Sequence, residues 1–193
     1  MMDTVEKAHG CLAGLALGDA MGQATEFMTP EQIRCEFGWV EELVTAPAWH
    51  PHHALGAGRV TDDTEQALAL AEIYVRGEAM TAQQAANALL TWAEARGATV
   101  EAYMGPSTRQ ALIALRLGVD PEESGRRGTT NGGAMRVAPI GVVRAGDEAK
   151  ALAETVNACL PTHGTTLAIS GAAAICFAIA EAMHSKATVS TVI

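Results

Sequence analysis

Apolar residues recur at helical spacing in the first segment of the chain. Val5, Ala8 and Leu12 fall three or four positions apart, as the buried stripe of an α-helix requires. Glycine also occurs at every fourth position from Gly10 to Gly22. Each helical glycine costs about 1 kcal/mol relative to alanine. The series therefore predicts a smooth groove that another helix or a ligand approaches closely.

The same periodicity predicts helices along the rest of the chain. A short one opens at Pro30, with Thr29 as its N-cap. No segment alternates apolar and polar residues as a half-buried strand would. Residues 44–60 lack periodicity and contain two prolines and three histidines, which predicts a long loop. The other predicted helices cover 63–76, 82–96, 106–118, a turn from Pro121, 134–145, 147–159 and 164–184. The pattern predicts one all-α domain over residues 1–193.

Composition narrows the class of protein. Apolar residues make up 49% of the chain, which is enough for a core, and aromatic residues only 4%. The formal net charge of -9 repels phosphate backbones and argues against nucleic-acid binding. A small anionic ligand stays compatible with this charge, because a few local donors can override the overall field.

Nothing in the sequence predicts a membrane segment. The uncharged stretch Gly164–Ala180 is rich in Thr, Ser, Gly and Ala and predicts a buried helix. The N-terminus lacks the basic and apolar regions of a signal peptide. None of the four cysteines forms a CxxC pair, so we expect free, buried thiols in a reducing compartment. These features predict a cytoplasmic protein.

The strongest chemical signal is the segment 61–65, which reads Thr-Asp-Asp-Thr-Glu and opens a predicted helix. Adjacent carboxylates and the Thr61 oxygen are ligands that Mg²⁺ prefers. The alternative is a helix-capping box of Asp62 with Glu65. That box leaves Asp63 unexplained, since a second acid adds repulsion that a cation would relieve.

Two further acids interrupt the first helix and the segment after it. Asp19 breaks the apolar run, and Glu26 follows seven residues later. They either face a common cavity or lie in solvent near the helix terminus. Asp19 is badly placed against the helix dipole in the second case, which favours the first.

A glycine-rich loop precedes another predicted helix. Residues 127–136 read Arg-Gly-Thr-Thr-Asn-Gly-Gly-Ala-Met-Arg and contain neither a Walker loop nor GxGxxG. The loop is either a cradle whose backbone N–H groups bind phosphate or a plain flexible turn. His163 precedes the Ala-rich last helix and is either a capping residue or a ligand-binding one. His50, His52 and His53 match no zinc spacing, and we interpret them as surface histidines.

Together these segments resemble the ADP-ribosylglycohydrolase family, which includes DraG-type enzymes and ADP-ribosylarginine and ADP-ribosylserine hydrolases. The matching segments occur in the family's order over nearly the whole chain. They are Gly14–Gly22 with Glu26, Thr61–Thr64, Asn131–Arg136 and Thr162–His163. The neighbourhoods of Phe37–Trp39 and Gly105–Ser107 resemble bacterial members of the YegU type.

The resemblance implies a compact all-α fold with two Mg²⁺ ions in a cleft. It implies metal binding by Thr61, Asp62 and Asp63, and catalysis by Glu26, Asp62 and Asp63. The implied substrate-binding residues are Asp19, Asn131, Gly132, Gly133, Ala134, Met135 and His163. The implied reaction is hydrolysis of the glycosidic bond between ADP-ribose and a protein side chain, with arginine as the candidate, or of a related small ADP-ribosyl compound.

One departure from the family pattern qualifies this prediction. The family completes its metal site with a C-terminal Asp-x-Asp-Thr motif, which this sequence does not contain. We therefore expect a C-terminally truncated or short form of the domain. Two alternatives follow: a binder of ADP-ribose or nucleotides that has lost the chemistry, or a structural relative that binds no magnesium.

Overall fold

The computed structural model describes residues 3–97 and 103–184, and every regular element in these ranges is helical. The predicted all-α class is confirmed. Two 3₁₀ turns, His53–Leu55 and Ala134–Arg136, lie outside the α-helices. The helices are α1 (Thr4–Gly22), α2 (Pro30–Phe37), α3 (Asp62–Val75), α4 (Ala82–Arg96), α5 (Pro106–Arg116), α6 (Pro121–Ser124), α7 (Ala138–Val143), α8 (Glu148–His163) and α9 (Thr166–Ala182).

Most of these helices begin at local sequence signals. The Thr29 side chain accepts a hydrogen bond from Gln32 N–H at the start of α2, and Asp147 accepts one from Lys150 N–H at the start of α8. Proline occupies the first turn of α2, α5 and α6, where its missing N–H costs nothing. These starts confirm the predicted ones at Pro30, Pro106, Pro121 and Asp147.

The predicted helix over 134–145 is wrong at both ends. The chain forms a 3₁₀ turn first, and α7 covers only Ala138–Val143. Pro139 explains the start, because a proline deeper in a helix clashes with the carbonyl four residues earlier. It is tolerated here in the first turn of α7. The helix ends before Gly146, whose φ of 86° belongs to the left-handed region.

Helix α8 continues beyond the predicted end at residue 159 and includes Pro161 in its last turn. Ser124 Oγ donates to the Pro161 carbonyl over 2.8 Å, and Gly164 N–H donates to the Gly125 carbonyl over 2.8 Å. These tertiary contacts support the end of α8. As a result His163 is the last residue of a helix.

Small residues bring the central helices together. One core cluster joins Leu70 and Ile73 of α3 to Ala158 of α8 and to Ala172 and Cys176 of α9, all fully buried. A second cluster, around Leu89, Trp92 and Leu112, joins α4 and α5. Helix α3 contributes to both clusters, through Leu70 and Ile73 in the first and the partly buried Ala69 in the second. No described helix combines the length and the apolar character that crossing a bilayer requires.

The glycine series of α1 does not make the predicted close approach within the described residues. A Cβ added at Gly10, Gly14, Gly18 or Gly22 would meet nothing within 4 Å. Ala20 is the one residue of α1 classed as buried. The thiol prediction is also corrected at Cys35, which is exposed, whereas Cys159 and Cys176 are free and buried as expected.

Candidate active site

Asp19 of α1 caps the start of α3. Its carboxylate accepts hydrogen bonds from the backbone N–H groups of Thr61 and Thr64 over 2.8 and 3.1 Å. It also accepts from both threonine hydroxyls, over 2.7 and 2.6 Å. A helix start carries unpaired N–H groups and a positive dipole end, so an anion is favoured there. Asp19 is therefore not a solvated surface acid, although it does not line the cleft described below.

The capping-box alternative for Asp62 and Glu65 is wrong. Glu65 points away from the helix start and accepts hydrogen bonds from Trp92 Nε1 and the Tyr103 hydroxyl, over 2.8 and 2.9 Å. Arg96 pairs with the other carboxylate oxygen over 2.9 Å. The two aspartates of this segment are consequently left for another role.

A cleft of about 200 Å³ opens beside the start of α3. Most of the predicted site residues line it, although they come from distant parts of the sequence. Thr61, Asp19, Gly133 and Ala134 are absent from its wall. The lining residues are Glu26, Phe27, Asp62, Asp63, Tyr103, Met104, Gly105, Pro106, Thr108, Thr130, Asn131, Gly132, Met135 and His163.

The acids of the cleft repel one another. Burial, followed by the charges of Asp63 and Glu26, raises the pKa of Asp62 to about 8. Burial, followed by the charges of Asp19 and Glu26, raises the pKa of Asp63 to about 6. Burial and Asp19 also raise the pKa of Glu26. Among the described residues no basic side chain forms an ion pair with Asp62 or Asp63.

This donor set fits a hard divalent cation. Ionised Asp62 and Asp63 would supply carboxylate oxygens, and a cation would relieve their repulsion. The Thr61 hydroxyl donates its proton to Asp19 and so keeps oxygen lone pairs for a ligand. In the parts of the chain that the structure describes, no three His, Cys, Asp or Glu side chains form a complete ligand set.

The glycine-rich loop is closely packed against the end of α8, so the flexible-turn interpretation is wrong. A Cβ on Gly128 would lie 2.8 Å from His163 Cα, and one on Gly132 would lie 2.7 Å from His163 Nε2. Both distances are too short for a side chain. These glycines are needed because the two segments touch, and this contact places Asn131 and Gly132 in the cleft wall.

His163 is buried and neutral at the inner side of this loop. Burial, with a smaller contribution from the charge of Arg136, lowers the pKa of His163 to about 3. Its Nε2 lies 2.9 Å from the Thr130 hydroxyl, and its Nδ1 lies 2.8 Å from the Thr162 hydroxyl. His163 thus lines the cleft as a hydrogen-bonding group without charge.

The interpretation of His50 and His52 as surface residues is wrong. Both are buried, at 4% and 0% exposure. His52 Nδ1 donates to the Gln23 carbonyl over 2.9 Å and lies 3.6 Å from a Glu26 carboxylate oxygen. His50 and His52 thus connect the loop before α3 to the segment that carries Glu26 by hydrogen bonds.

Sequence reasoning missed several residues of the cleft wall. Phe27 is 75% exposed and has a φ of 63°, an unusual backbone conformation for this residue. Tyr103 reaches the wall because Glu65 holds its hydroxyl. Thr130 directly precedes the predicted residue Asn131, and this position in the loop is the signal that could have indicated it. Phe27 and Tyr103 gave no periodic or motif signal.

The fold and the cleft define a class: an all-α protein in which paired aspartates at a helix start face a glycine-rich loop. The comparisons agree, since the model of the ADP-ribosylglycohydrolase family matches residues 1–193. The chain belongs to the ADP-ribosylglycohydrolase family.

Individual relatives agree with this assignment. The uncharacterized protein YegU of Escherichia coli (strain K12) is 33% identical over 184 residues, covering 94% of this chain and 55% of the relative. The ADP-ribosylarginine hydrolase Tri1 of Pseudomonas putida (strain GB-1) is 30% identical over 190 residues. This match covers 93% of this chain and 46% of the length of Tri1. The ADP-ribosyl-[dinitrogen reductase] glycohydrolase of Rhodospirillum rubrum is 28% identical over 145 residues, covering 75% and 47%.

A solved structure described as an ADP-ribosylglycohydrolase-related protein complex superposes with a TM-score of 0.75 at 29% identity. The match covers 95% of this chain and 58% of that one. The chain thus spans about half the length of the relatives that it matches.

Proposed function

We propose that this cleft takes part in hydrolysis of the glycosidic bond between ADP-ribose and a protein side chain. The observation that carries the proposal is the meeting of Asp62 and Asp63 with the Asn131 loop and His163 in one cleft. Carboxylates suit the ribose end of such a substrate, and backbone donors suit its diphosphate. The names of the Tri1 and Rhodospirillum rubrum relatives support this substrate class.

Two parts of the cleft bind the substrate. The N–H groups of the loop at Asn131 and Gly132 donate to the diphosphate, which lets an acidic protein hold an anion. The cleft is smaller than the roughly 300–1,000 Å³ of a typical ligand pocket, so it holds the ribose and the adjoining phosphate groups rather than the whole nucleotide. ADP-ribosylated arginine is the proposed linked residue.

The acids supply the chemistry. A water oxygen attacks the anomeric carbon of the ribose while the bond to the side-chain nitrogen breaks and its electron pair goes to that nitrogen. The nitrogen gains a proton equivalent to the one that the water loses through Glu26, so the proton count balances. Glu26 accepts the proton of the water, and its raised pKa brings it closer to neutral pH, where a general base is most effective. Asp62 and Asp63 stabilise the positive charge that develops on the sugar ring.

Thr61, Asp62 and Asp63 would hold Mg²⁺. When bound, such a cation would supply Lewis-acid chemistry that makes a water more acidic and orients sugar hydroxyls. The carboxyl groups of Asp62 and Asp63 then stay ionised near neutral pH, because the cation offsets the burial and repulsion that otherwise raise their pKa. Asp19 keeps both threonines of the segment in place.

The test measures release of ADP-ribose from an ADP-ribosylated arginine peptide in the presence of MgCl₂. The double variant Asp62→Asn with Asp63→Asn should lower the rate at least ~100-fold, since each carboxylate acts at the reacting centre. Glu94→Gln, an exposed acid on α4, is the control and should leave the rate unchanged.

Equal release by the double variant would overturn the proposal. Binding of ADP-ribose by the wild-type protein without any release would instead support the non-catalytic binder.

A further inference from the structure

The buried Arg136 has no role in the proposed reaction, yet it contacts two groups that adjoin the cleft. These are Gln66, which bonds to Asp62, and Thr162, which bonds to His163. The Arg136 side chain is fully buried. Nη1 donates to Gln66 Oε1 over 2.7 Å, and Nη2 donates to the Ala158 carbonyl and to the Thr162 hydroxyl oxygen over 2.8 and 2.6 Å. No carboxylate of the described residues forms an ion pair with it. Burial of a cation without such a partner is costly, so its position calls for an explanation.

A guanidinium group can donate hydrogen bonds but cannot accept them, and this fixes the direction of every bond around it. On one side, Gln66 must present its carbonyl oxygen to Arg136. Its amide nitrogen is then the end that faces Asp62, and it donates to Asp62 Oδ2 over 3.2 Å. Arg136 thereby sets the orientation of the group that holds one aspartate of the cleft.

On the other side, the direction of the hydrogen bonds is fixed first at Thr162 and then at His163. The Thr162 oxygen accepts from Arg136, and His163 Nδ1 is the one group among the described residues that can accept the Thr162 proton. Since the reverse direction would leave that buried proton without an acceptor, Thr162 donates to His163. The neutral imidazole then carries its proton on Nε2 and donates it to the Thr130 oxygen. The Thr130 hydroxyl proton has no acceptor among the described residues and is free to point into the cleft.

We propose that Arg136 is a positioning residue whose hydrogen bonds, relayed by Thr162 and His163, make the Thr130 hydroxyl a donor to an anionic oxygen of the ligand. The ligand group is a phosphate oxygen, which matches the N–H groups that the same loop presents at Asn131. The identity of the ligand rests on the proposed function, whereas the direction of the hydrogen bonds does not.

The first experiment reads the tautomer of His163 by ¹⁵N NMR of its imidazole. It replaces Thr162 rather than Arg136, because valine and serine preserve most of the shape of the Thr162 side chain, whereas truncation of Arg136 would leave a large buried cavity. In the wild-type protein Nε2 should carry the proton and Nδ1 should not. Thr162→Val removes the donor to Nδ1 and should give a mixture of tautomers, whereas Thr162→Ser keeps the hydroxyl and should restore the single form. A proton on Nδ1 in the wild-type protein overturns the proposal.

The second experiment measures the Kd for ADP-ribose by calorimetry. Thr130→Val should weaken binding roughly tenfold, as expected for loss of one hydrogen bond to a charged group. Thr162→Val should weaken it by a smaller factor, because part of the protein then still has the proton on Nε2, and Thr162→Ser should not weaken it. Thr129→Val is the matched control, since Thr129 is an exposed neighbour outside the cleft wall, and it should bind as the wild-type protein does.

The two failures are distinguishable. Unchanged binding by Thr130→Val, with binding by the wild-type protein intact, overturns the donor role of Thr130. Absence of ADP-ribose binding by the folded wild-type protein overturns the proposed function, and in that case the NMR experiment still decides the direction of the hydrogen bonds.

Discussion

At the scale of single residues, Asp62 and Asp63 are neighbours in the sequence but differ in their surroundings. Asp62 is the more deeply buried, and Gln66 donates to it over 3.2 Å. Asp63 lies 3.5 Å from the Thr61 hydroxyl. Burial without a basic partner favours the protonated form of a carboxyl group, and it does so more strongly for Asp62.

This difference predicts how the stability of the metal-free protein depends on pH. The folded pKa of Asp62, about 8, exceeds the ordinary value of 3.8. The unfolded state therefore holds fewer protons between these values, and stability falls as pH rises through them. The titration of Asp63, near pH 6, and that of His52 and His163, whose pKa values are lowered from 6.5, contribute less and less as pH rises above 6.5.

Urea denaturation between pH 6.5 and 8 measures the effect. The wild-type free energy of unfolding should fall by up to about 1.4 kcal/mol per pH unit. Asp62→Asn should abolish this slope because an amide does not titrate. Asp63→Asn should keep the slope but move it to lower pH. Removing the charge of Asp63 lowers the pKa of Asp62 without stopping its titration. A slope of the same size in Asp62→Asn would show that another group is responsible.

Residues whose chemistry is local could be predicted from the sequence. The paired aspartates and the Asn131 loop could be recognised from their residue types and spacing. In the structure both line the same cleft. The partners of Asp19 and Glu65 could not be predicted, because they depend on where α1 and α4 pack against α3. His50 and His52 were misjudged for the same reason, since only the tertiary fold buries them.

At the scale of elements, the contact between the glycine-rich loop and α8 determines the shape of the cleft. The helix runs through Pro161 to His163 and presents the side chain of His163 to the loop. The loop approaches so closely that Gly132 has no room for a Cβ. Any side chain there must displace either the imidazole or the loop.

Gly132→Ala should therefore destabilise the protein by about 1–3 kcal/mol, which is the usual cost of overpacking. Gly171→Ala in α9 is the matched control, because its added Cβ meets nothing within 4 Å. This control should be neutral or stabilise the helix by up to about 1 kcal/mol. Urea denaturation of both variants measures the difference, and equal stability of the two would contradict the close packing.

The presence of the helices could be predicted from the periodicity of apolar residues, but the ends of α7 and α8 could not. Pro139 lies inside the predicted helix over 134–145, and Pro161 lies beyond the predicted helix over 147–159. One of them starts a helix, whereas the other lies inside a last turn that Ser124 and Gly125 support. The difference is decided by contacts distant in sequence. The groove expected along α1 likewise depends on what packs against it.

At the scale of the whole molecule, five separate parts of the chain form the cleft. Helix α1 caps α3, the loop with His52 holds the segment of Glu26, and α8 supports the glycine-rich loop. The net charge of -9 disfavours an anionic ligand overall, so the proposed binding of ADP-ribose requires local donors and the proposed cation at the acids.

Calorimetric titration of ADP-ribose tests this account most directly, performed with and without MgCl₂ on the wild-type protein and on the double variant Asp62→Asn with Asp63→Asn. The account predicts one site per chain in the wild-type protein with Mg²⁺. It predicts binding at least ~10-fold weaker without Mg²⁺ or in the double variant, with both proteins folded by circular dichroism. Equal affinity in the two proteins, or no binding by the folded wild-type protein, would contradict it.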